Sequence, residues 1–365
     1  MKKTLAYVSS EWFADTDLTV LSNLIDDFNI YWYYTTNLHN PRYPLSDIRK
    51  YAEIYGITLE VDDAKYRYED LRNFFKANNQ ISKIKKIKPD VIYRVSPCIF
   101  WNTIAFFRLP RNKVVLGIHD CIMHEGRRGQ LLLQLDSDSC IKMIKHFILF
   151  SKTEYDIFHG RFPRKKAVVV GMSVKDFGIS NKTLPPIRNE IKLLFFGQIQ
   201  KYKGLDILIK SLEELFAANQ RKITLSICGK GREWEACIPL IQHAEQYNLQ
   251  IRFIENNEVA DLFSTHHFLV LPYRDATQSG PIMIAANYGL PIICPEIKSF
   301  MQIYDKQSAV TYPQGCLTDA LLRVNDLSQS EYDNYRSHAK ILKEKYSEKN
   351  ISNNYVKAFL DYIAG

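Results

Sequence analysis

Short apolar runs alternate with longer segments of helical periodicity through most of the chain. In the second half, the pattern predicts strands at 191–196, 223–228, 251–254, 268–271, 291–294 and 309–311. Helices are expected between them at 205–217, 233–247, 258–264 and 281–288, with further helices from about 317. Strands that alternate with helices form parallel sheets covered on both faces. The pattern therefore predicts an α/β fold.

The first half repeats this rhythm, with strands expected at 4–8, 30–34, 57–61, 91–94, 114–118, 146–150 and 167–170. Helices are expected at 18–28, 47–55, 66–86 and 130–145. Ser151 and Glu154 have the spacing of a capping box that opens another short helix. The turn after the first strand, SSEWFADTD, lacks the glycine-rich fingerprint of a dinucleotide site.

The rhythm is interrupted between 172 and 190, where Gly178, Pro185 and Pro186 lie among mixed polar residues. We interpret 176–190 as a linker between two doubly wound, Rossmann-like domains that face a cleft. The domains are expected at 1–175 and 191–345, and a C-terminal helix at 346–365 is expected to pack back on the first domain. Ligands of such sheets bind beyond the carboxyl ends of the strands.

One stretch, LVLPYRDATQSGPIMIAANYGLPIICP at 269–295, reads as strand, polar loop, helix and strand. Pro281 stands where a helix tolerates the missing N–H, and Gly289 suits a left-handed cap. The unpaired N–H groups and the dipole at such a helix start favour a phosphate. An ordinary strand-to-helix turn has the same local pattern, so the neighbouring loops decide between the two interpretations.

Two of those loops also follow predicted strands. Lys203 precedes a helix, a position that is unfavourable for a cation unless an anion sits between them. A solvated surface lysine is the alternative. Gly204, and the two glycines of Gly229-Lys230-Gly231, would let the backbone approach a ligand closely.

Composition narrows the class of protein. The net charge is +8, and clusters of Lys and Arg lie in the first half. Candidate partners are nucleic acid, an anionic membrane surface and a phosphorylated substrate. A nucleic-acid module is not indicated, because no basic–aromatic motif of a known module occurs. A solvated basic face accounts for any single cluster equally well.

The seven Cys form no CxxC pair, which argues against a disulfide framework or a structural zinc site and favours a reducing cytosol. The N-terminus does not resemble a signal sequence, and no apolar stretch has the length of a membrane span. We expect a cytoplasmic protein that binds peripherally to the inner face of a membrane.

The segments FFGQIQKYKGLDILIKSL, ICGKG, FIENNEVADLFSTHHFLVLPYRDATQSG and YGLPIICP resemble, in order and spacing, the donor half of retaining GT-B glycosyltransferases of family four, the group 1 type. The resemblance covers essentially all of 191–296. In the first half it rests on the strand–helix rhythm, on the His119-Asp120 pair and on the region around Ser151. It implies a nucleotide-sugar-dependent hexosyltransferase.

The resemblance also implies roles for particular residues. Lys203 would hold the donor diphosphate, backbone amides around Ser279 and Gly280 would bind it, and His119 would face the donor sugar. His119 and Lys203 are therefore the candidate catalytic residues, and a structural histidine is the alternative for His119. The donor-side residues are Gly197, Gln198, Lys203, Gly229, Lys230, Ile254, Glu255, Val259, Asp275, Thr277, Gln278, Ser279, Gly280 and Pro281.

The sequence departs from the family at several of these places. Gln198 replaces the usual Arg, which removes one positive charge from the phosphate site. Ala276 and Ile284 stand where the family usually has two Glu residues, and Asp275, Thr277 and Gln278 are the polar substitutes. The glycine-rich loop of the family's first domain is replaced by SSEWFADTD.

The predicted activity is transfer of a sugar to a glycan or lipid-linked acceptor in cell-surface polysaccharide assembly. We expect no metal requirement and no cofactor besides the nucleotide sugar, because HDCIMH lacks further ligands at a sensible spacing. Candidate acceptor-side residues are Glu11, Trp12, Asp15, Asp17 and Asp120, although Trp12 would serve equally as core. The alternative function is a catalytically silent GT-B protein that binds a nucleotide sugar or a partner enzyme.

Overall fold

The computed structural model describes residues 2–67, 69–97, 100–122, 130–188, 190–219, 222–276 and 279–364. The chain divides into two compact units. The first unit comprises Met1–Ser173 and Glu348–Gly365, and the second unit comprises Val174–Ser347. The described part of 176–190, where a linker is predicted, carries no helix or strand and belongs to the second unit.

Strands and helices alternate through both units, as predicted. The strands are β1 Lys3–Ser10, β2 Phe28–Thr36, β3 Thr58–Asp63, β4 Val91–Arg94, β5 Val114–Ile118, β6 His146–Leu149, β7 Lys166–Val169, β8 Ile191–Phe196, β9 Ile223–Cys228, β10 Tyr247–Gln250, β11 Phe268–Val270, β12 Ile292–Pro295 and β13 Ala309–Tyr312. The helices are α1 Ala14–Leu21, α2 Leu45–Ile54, α3 Arg72–Lys86, α4 Trp101–Phe106, α5 Gln130–Met143, α6 Lys152–Arg161, α7 Leu205–Ala217, α8 Trp234–Cys237, α9 Asn256–Thr265, α10 Gly280–Tyr288, α11 Lys298–Met301, α12 Leu317–Asn325, α13 Gln329–Lys345 and α14 Glu348–Ala364.

The first unit is built on a parallel sheet of order β3-β2-β1-β4-β5-β6-β7. The order reverses between β1 and β4, which pair directly, with Leu5 opposite Val91 and Val8 opposite Arg94. The middle of β1 is fully buried because both faces of this strand are covered. The reversal places a crevice at the carboxyl ends of β1 and β4, where open α/β sheets bind ligands.

Helix α14 completes the core of the first unit from the far end of the chain. Its Phe359 is fully buried, with its ring centroid 5.8 Å from that of Phe28 and 5.2 Å from that of Tyr93. The side chain of Asn354 donates a hydrogen bond to the carbonyl of Val170 (2.9 Å). The apolar side of α14 thus shields β2 and β4 from solvent, although both strands are more than 250 residues away in sequence.

A buried carboxyl group lies under α1. Asp17 is fully buried and accepts a 2.8 Å hydrogen bond from the Tyr7 hydroxyl, while its Oδ2 makes none with the described residues. Burial raises the pKa of Asp17 to about 8. The prediction that Asp17 contacts an acceptor is wrong in this structure, because the start of α1 turns its side chain into the core.

The second unit has a parallel sheet of order β10-β9-β8-β11-β12-β13, which reverses between β8 and β11. Helix α7 covers the centre of this sheet, and its Leu208, Ile209 and Leu212 are fully buried. Helix α10 begins beside the predicted Pro281 and ends at Gly289, which has the predicted left-handed conformation (φ 59°). The first and last turns of α10 therefore follow the local sequence signals.

The stretch after β9 differs most from the prediction. The expected helix at 233–247 is limited to α8 and two short 3-10 turns, because Pro239 cannot continue a helix. The buried Glu213 instead binds this irregular segment, accepting hydrogen bonds from the Tyr247 hydroxyl (2.9 Å) and from His243. Strand β10 consequently occupies 247–250 and not the predicted 251–254.

Smaller differences occur in the first unit. Helix α1 begins and ends earlier than the predicted 18–28, α3 begins at Arg72 and not at 66, and the short helix α4 is not predicted at all. Ser151 caps α6 as expected by accepting a hydrogen bond from the Glu154 N–H (3.1 Å). The Glu154 carboxylate does not complete the capping box, because it accepts the Cys121 N–H instead (2.8 Å).

Candidate functional site

Two loops of the second unit run side by side beyond the carboxyl ends of β8 and β9. The N–H of Gly197 donates to the carbonyl of Cys228 (2.9 Å), and the N–H of Ile199 donates to the carbonyl of Lys230 (3.0 Å). These bonds continue the strand pairing into the loops. The two loops therefore form one fixed wall at the edge of the sheet.

The glycines of these loops serve this packing. A Cβ on Gly229 would lie 1.9 Å from the carbonyl oxygen of Gly197, and one on Gly204 would lie 2.0 Å from that of Pro272. Such distances are impossible for real atoms, so only glycine fits at either position. Packing of the backbone therefore requires glycine at both positions, and the predicted close approach to a ligand stays a prediction.

Lys203 is buried at the end of the first loop. It is 7% exposed, and no hydrogen bond or ion pair of its ammonium group is found with any residue that the structure describes. Burial lowers the pKa of Lys203 to about 8. Its Nζ lies 5.5 Å from the centroid of the Tyr273 ring, which forms one side of its environment. The alternative of a solvated surface lysine is excluded by this burial.

The start of α10 lies at the same place. A Cβ built on Gly197 would be 3.2 Å from Lys203 Nζ and 3.9 Å from Cγ of Pro281. The ammonium group and the proline ring therefore both lie close to Gly197. Gly280 is the first residue of α10, and the first N–H groups of a helix lack internal partners. The positive end of the helix dipole and the buried ammonium group therefore face the same small region.

Two buried hydroxyl groups lie near this helix start. Neither Ser279 Oγ nor Tyr273 Oη has a hydrogen bond of normal geometry within the described parts of the chain. Burial raises the pKa of Tyr273, and the neighbouring Ser279 hydroxyl offsets part of this rise in pKa. Ser279 is 6% exposed, so a polar group at this position would gain a hydrogen-bonding partner shielded from water.

A groove of about 840 Å³ extends from these loops. We call it the second-unit groove, and its walls are residues 196–201, 228–233 and 252–254. Phe253 is 59% exposed on one wall, with Lys230 Nζ 5.8 Å from its ring centroid. Arg252, on the same wall, donates two hydrogen bonds to the Glu258 carboxylate (2.7 and 2.6 Å). The groove thus offers an exposed aromatic face beside a cation.

Five of the predicted donor-side residues line this groove, namely Gly197, Gln198, Gly229, Lys230 and Ile254. Glu255 and Val259 do not. Glu255 caps α9 and accepts the N–H of its third residue, and Val259 is buried in the core with 2% exposure. Asp275 is exposed on the loop before α10, while Thr277 and Gln278 lie outside the described residues.

The groove also contains residues that the sequence did not indicate, among them Gln200, Lys201, Arg232 and Phe253. Phe253 is missing from the prediction because 251–254 was expected to be strand, where it would pack against the sheet. With β10 ending at Gln250, Phe253 belongs to the loop beyond the strand end. The high exposure of a large aromatic residue is visible only in the structure.

At the two positions where the family usually has acidic residues, this chain has a core residue, Ile284, and Ala276, whose backbone carbonyl accepts a hydrogen bond. Ile284 is 5% exposed and packs inside the second unit. The carbonyl of Ala276 accepts a hydrogen bond from the Ser299 hydroxyl (2.7 Å). No acidic side chain is supplied at either place.

The predicted residues of the first unit form two separate groups. His119 and Asp120 follow β5, where the His119 ring lies 5.5 Å from Phe13 and 5.1 Å from Phe150, measured between ring centroids. Below them, burial raises the pKa of Glu154 to about 7, and Asp120 adds to the effect. Glu11 and Trp12 follow β1 and line another groove, whereas Asp15 lies on α1.

Metal and membrane features can be assessed for the described residues alone. Within them, no group of three His, Cys, Asp or Glu side chains could hold a metal ion, and His124 of the HDCIMH stretch lies outside them. The absence of a metal requirement remains a prediction. None of the helices in the described ranges combines the length and apolarity of a membrane span.

With the fold and these loops in place, comparison with known proteins assigns the class. Residues 190–326 match the family model Glyco_trans_1_4, described as glycosyl transferases group 1. The residues that line the second-unit groove lie within this range, as do Lys203 and α10. Residues 190–326 are therefore similar to group 1 glycosyltransferases, and the protein is a glycosyltransferase.

Solved structures match the fold over nearly the whole chain. A glycosyltransferase from Rickettsia africae ESF-5 is 11% identical, with a TM-score of 0.74 over 99% of this chain and 98% of that one. Anabaena HepE, solved with UDP and glucose, is 14% identical, with a TM-score of 0.71 over 98% and 100%. The lipopolysaccharide outer core galactosyltransferase WaaB is 15% identical, with a TM-score of 0.66 over 98% and 99%.

These similarities establish two parallel-sheet, Rossmann-like domains of the GT-B type, as the sequence predicts. No protein of curated function matches the chain. Substrates and mechanism must therefore be inferred from the chain's own residues.

Proposed function

We propose that the protein is a retaining glycosyltransferase that moves a hexose from a nucleoside diphosphate sugar to a glycan or lipid-linked acceptor. One observation carries this proposal. Lys203 is a buried cation without an anionic partner among the described side chains, and its ammonium group lies beside the start of α10. A buried charge is unfavourable unless it is paired. A diphosphate group would supply the missing negative charge.

The same groups would stabilise the leaving group. During transfer, the bond between the anomeric carbon and the diphosphate oxygen breaks, and a bond to the acceptor oxygen forms on the same face. The acceptor proton passes to the departing diphosphate, so no separate base is required. The negative charge that develops on the diphosphate would be held by Lys203 and by the N–H groups at the start of α10.

The second-unit groove would hold the rest of the nucleotide. Its volume of about 840 Å³ suits a ligand of this size. The exposed ring of Phe253 offers a stacking surface for a flat base, and Lys230 lies beside it. Gln198 stands where the family usually has an Arg, so Lys203 would neutralise more of the diphosphate charge. Because fixed cations and a helix start neutralise the diphosphate, we propose that no metal ion is needed.

The acceptor pathway is suggested by related proteins and by charge. WaaB is by name a lipopolysaccharide galactosyltransferase, which supports a role in cell-surface polysaccharide assembly. The first unit contains 28 Lys and Arg against 21 Asp and Glu, whereas the second contains 20 against 19. This excess supports contact of the first unit with an anionic membrane surface on the cytoplasmic side.

A thermal-shift panel with UDP, GDP, ADP and CMP tests the donor site. A ligand that binds the native state raises the melting temperature, so the correct nucleotide should give the largest shift. Lys203→Ala should remove that shift. Lys210→Ala, which changes an exposed lysine on α7, should keep it. Equal shifts in wild type and Lys203→Ala for every nucleotide would contradict the assignment.

A catalytically silent protein is the second candidate, and the residues at 276 and 284 favour it. An alanine and a buried isoleucine cannot replace the polar contacts of two carboxylates. Mass spectrometry of a reaction with the nucleotide sugars chosen by the panel separates the two functions. Released nucleoside diphosphate together with a glycosylated acceptor or free sugar would exclude the silent protein.

A further inference from the structure

One arginine joins two stretches of the second unit that bear on Lys203. The turn Lys201–Lys203 precedes α7, and the loop at 272–276 leads from β11 towards α10. The backbone N–H of Arg274, in the middle of that loop, donates to the carbonyl of Tyr202 (2.7 Å). This bond fixes the loop relative to the turn at one point.

The Arg274 side chain adds bonds to the same turn and to α7. Its Nη1 donates to the carbonyl of Lys201 and also to Asp206 Oδ1 (3.0 Å). Its Nη2 donates to Asp206 Oδ2 (2.6 Å), so the guanidinium and the carboxylate form a bidentate pair. A lysine could not form this pair, because the pair requires the planar fork of a guanidinium group.

Asp206 is a suitable acceptor for this arginine. It is the second residue of α7, where the helix dipole stabilises a negative charge. Burial tends to raise the pKa of Asp206, but the hydrogen bonds and the charge of Arg274 outweigh this effect and hold the pKa below its ordinary value. Asp206 is therefore ionised at neutral pH, and the contact is an ion pair.

Tyr273, the residue before Arg274, connects this pair with Lys203. The Tyr273 ring lies edge-on to the ring of Tyr202, with centroids 5.7 Å apart, and Lys203 Nζ lies 5.5 Å from its centroid. The Gln314 side chain also donates to the carbonyl of Arg274 (3.0 Å). A displacement of Arg274 would therefore move Tyr273 with respect to the ammonium group.

The pair matters for geometry more than for stability. Both side chains are 36% exposed, and exposed ion pairs add little to the free energy of unfolding. Groups that bind a ligand must, however, lie within about 0.5 Å of the productive arrangement. Because Arg274 bonds to both the turn and α7, it restricts the positions that the loop can adopt beside Lys203.

On the basis of the proposed glycosyltransferase function, we propose that Arg274 and Asp206 are positioning residues of the donor site. The pair holds the loop at 272–276 against the turn that ends at Lys203. The ammonium group is thereby set beside the start of α10 before the nucleotide binds. The guanidinium itself is occupied by Asp206 and by a backbone carbonyl, so it acts on the diphosphate only through Lys203.

Asp206→Asn is the decisive variant, because charge and position predict opposite results. Loss of a negative charge near an anion site strengthens anion binding if charge alone matters. The positioning role predicts instead that binding of the nucleoside diphosphate selected by the thermal-shift panel becomes weaker, by at least about tenfold. Titration calorimetry measures this dissociation constant. Arg274→Gln should cause a similar loss, and Arg274→Lys, which keeps the charge but not the planar fork, should recover only part of it.

The corresponding nucleoside separates a positioning effect from general damage to the protein. It lacks the diphosphate and would occupy only the second-unit groove. Its affinity, measured in competition with the nucleoside diphosphate, should therefore be the same in wild type, Asp206→Asn and Arg274→Gln. An equal loss of nucleoside and diphosphate affinity would show that the pair merely supports the fold, and would overturn the positioning role.

Lys182→Gln is the matched control, because it breaks another exposed ion pair of the second unit, with Asp261 (2.8 Å), outside the groove walls. It should lower the melting temperature by a similar small amount and leave diphosphate affinity unchanged. Unchanged or tighter diphosphate binding by Asp206→Asn overturns the positioning role and leaves the donor site intact. A wild-type protein that binds the nucleoside as tightly as its diphosphate contradicts the proposed donor site itself, and the positioning role with it.

Discussion

Lys203 Nζ lies 3.2 Å from the position that a Cβ on Gly197 would occupy. The glycine that follows β8 therefore makes room for the ammonium group that ends the next turn. Gly197 has φ 106°, a conformation that few other residues adopt. The backbone shape at the end of β8 and the location of the proposed phosphate-binding cation thus depend on each other.

Gly197→Ala should weaken nucleotide binding by about tenfold or more, because a methyl group at this distance displaces the ammonium group by several tenths of an ångström. The measurement is the dissociation constant of the nucleotide that the thermal-shift panel selects. Gly178→Ala is the matched control, since Gly178 also has positive φ (97°) but has nothing within 4 Å of its Cβ position. Equal losses in both variants would point to backbone strain alone.

Lys203→Met should stabilise the ligand-free protein while it abolishes nucleotide binding. Burial lowers the pKa of Lys203 to about 8 from the ordinary value of 10.5 for a lysine, so the folded state disfavours the charged form by about 3 kcal/mol at pH 7. An isosteric apolar side chain removes that cost. Urea unfolding without nucleotide measures the change, with Lys210→Met as the exposed control. A destabilised Lys203→Met protein would show that an unseen partner already balances the charge.

Nucleotide affinity should depend on pH through the same group. The ammonium form of Lys203 binds the diphosphate, and half of it is lost near pH 8 in the free protein. Affinity should therefore be constant below about pH 7 and fall by up to about tenfold per pH unit above pH 8. Titration calorimetry between pH 6.5 and 9.5 checks this expectation. Lys203→Arg, which keeps its proton over this range, should show no such fall.

Asp17→Asn should flatten the pH dependence of stability in the first unit. The folded pKa of Asp17 is raised to about 8, so the folded protein retains a proton that the unfolded chain releases near pH 4. This contribution is complete below pH 4 and is lost as pH rises to about 8, at about 1.4 kcal/mol per pH unit. Unfolding free energies at pH 5 and pH 8 measure the slope. The exposed Asp26→Asn control should retain it.

Phe359→Ala should destabilise the first unit by about 3–5 kcal/mol, because it leaves a cavity among Phe28, Tyr93 and Tyr355. Its neighbour Leu360 is 39% exposed, and Leu360→Ala should cost about 1 kcal/mol or less. Thermal unfolding of both variants tests whether α14 belongs to this core. Similar melting temperatures for the two would contradict that placement.

The alternation of apolar runs and helical segments was sufficient to predict the parallel α/β fold. Strands such as β5 and β11 are continuous apolar runs, as expected for strands buried between two helical layers. The cap at Gly289 and the helix start at Pro281 were likewise predictable, since each depends on one residue's backbone preference. The helix expected at 233–247 is wrong because Pro239 interrupts it, and Glu213, which is distant in sequence, binds the irregular segment that results.

The position of Lys203 before a helix indicated an anion site from the sequence, because a cation there is unfavourable without one. Its burial, its lack of a described partner and its distance from Gly197 depend on the loop after β9 and on α10, which only the tertiary structure brings together. The exposure of Phe253 beside Lys230 likewise depends on the tertiary structure. The exposure of a side chain and the absence of a counter-charge depend on several helices, strands and loops together. Hydrophobic periodicity and helix caps depend only on residues that are close in sequence.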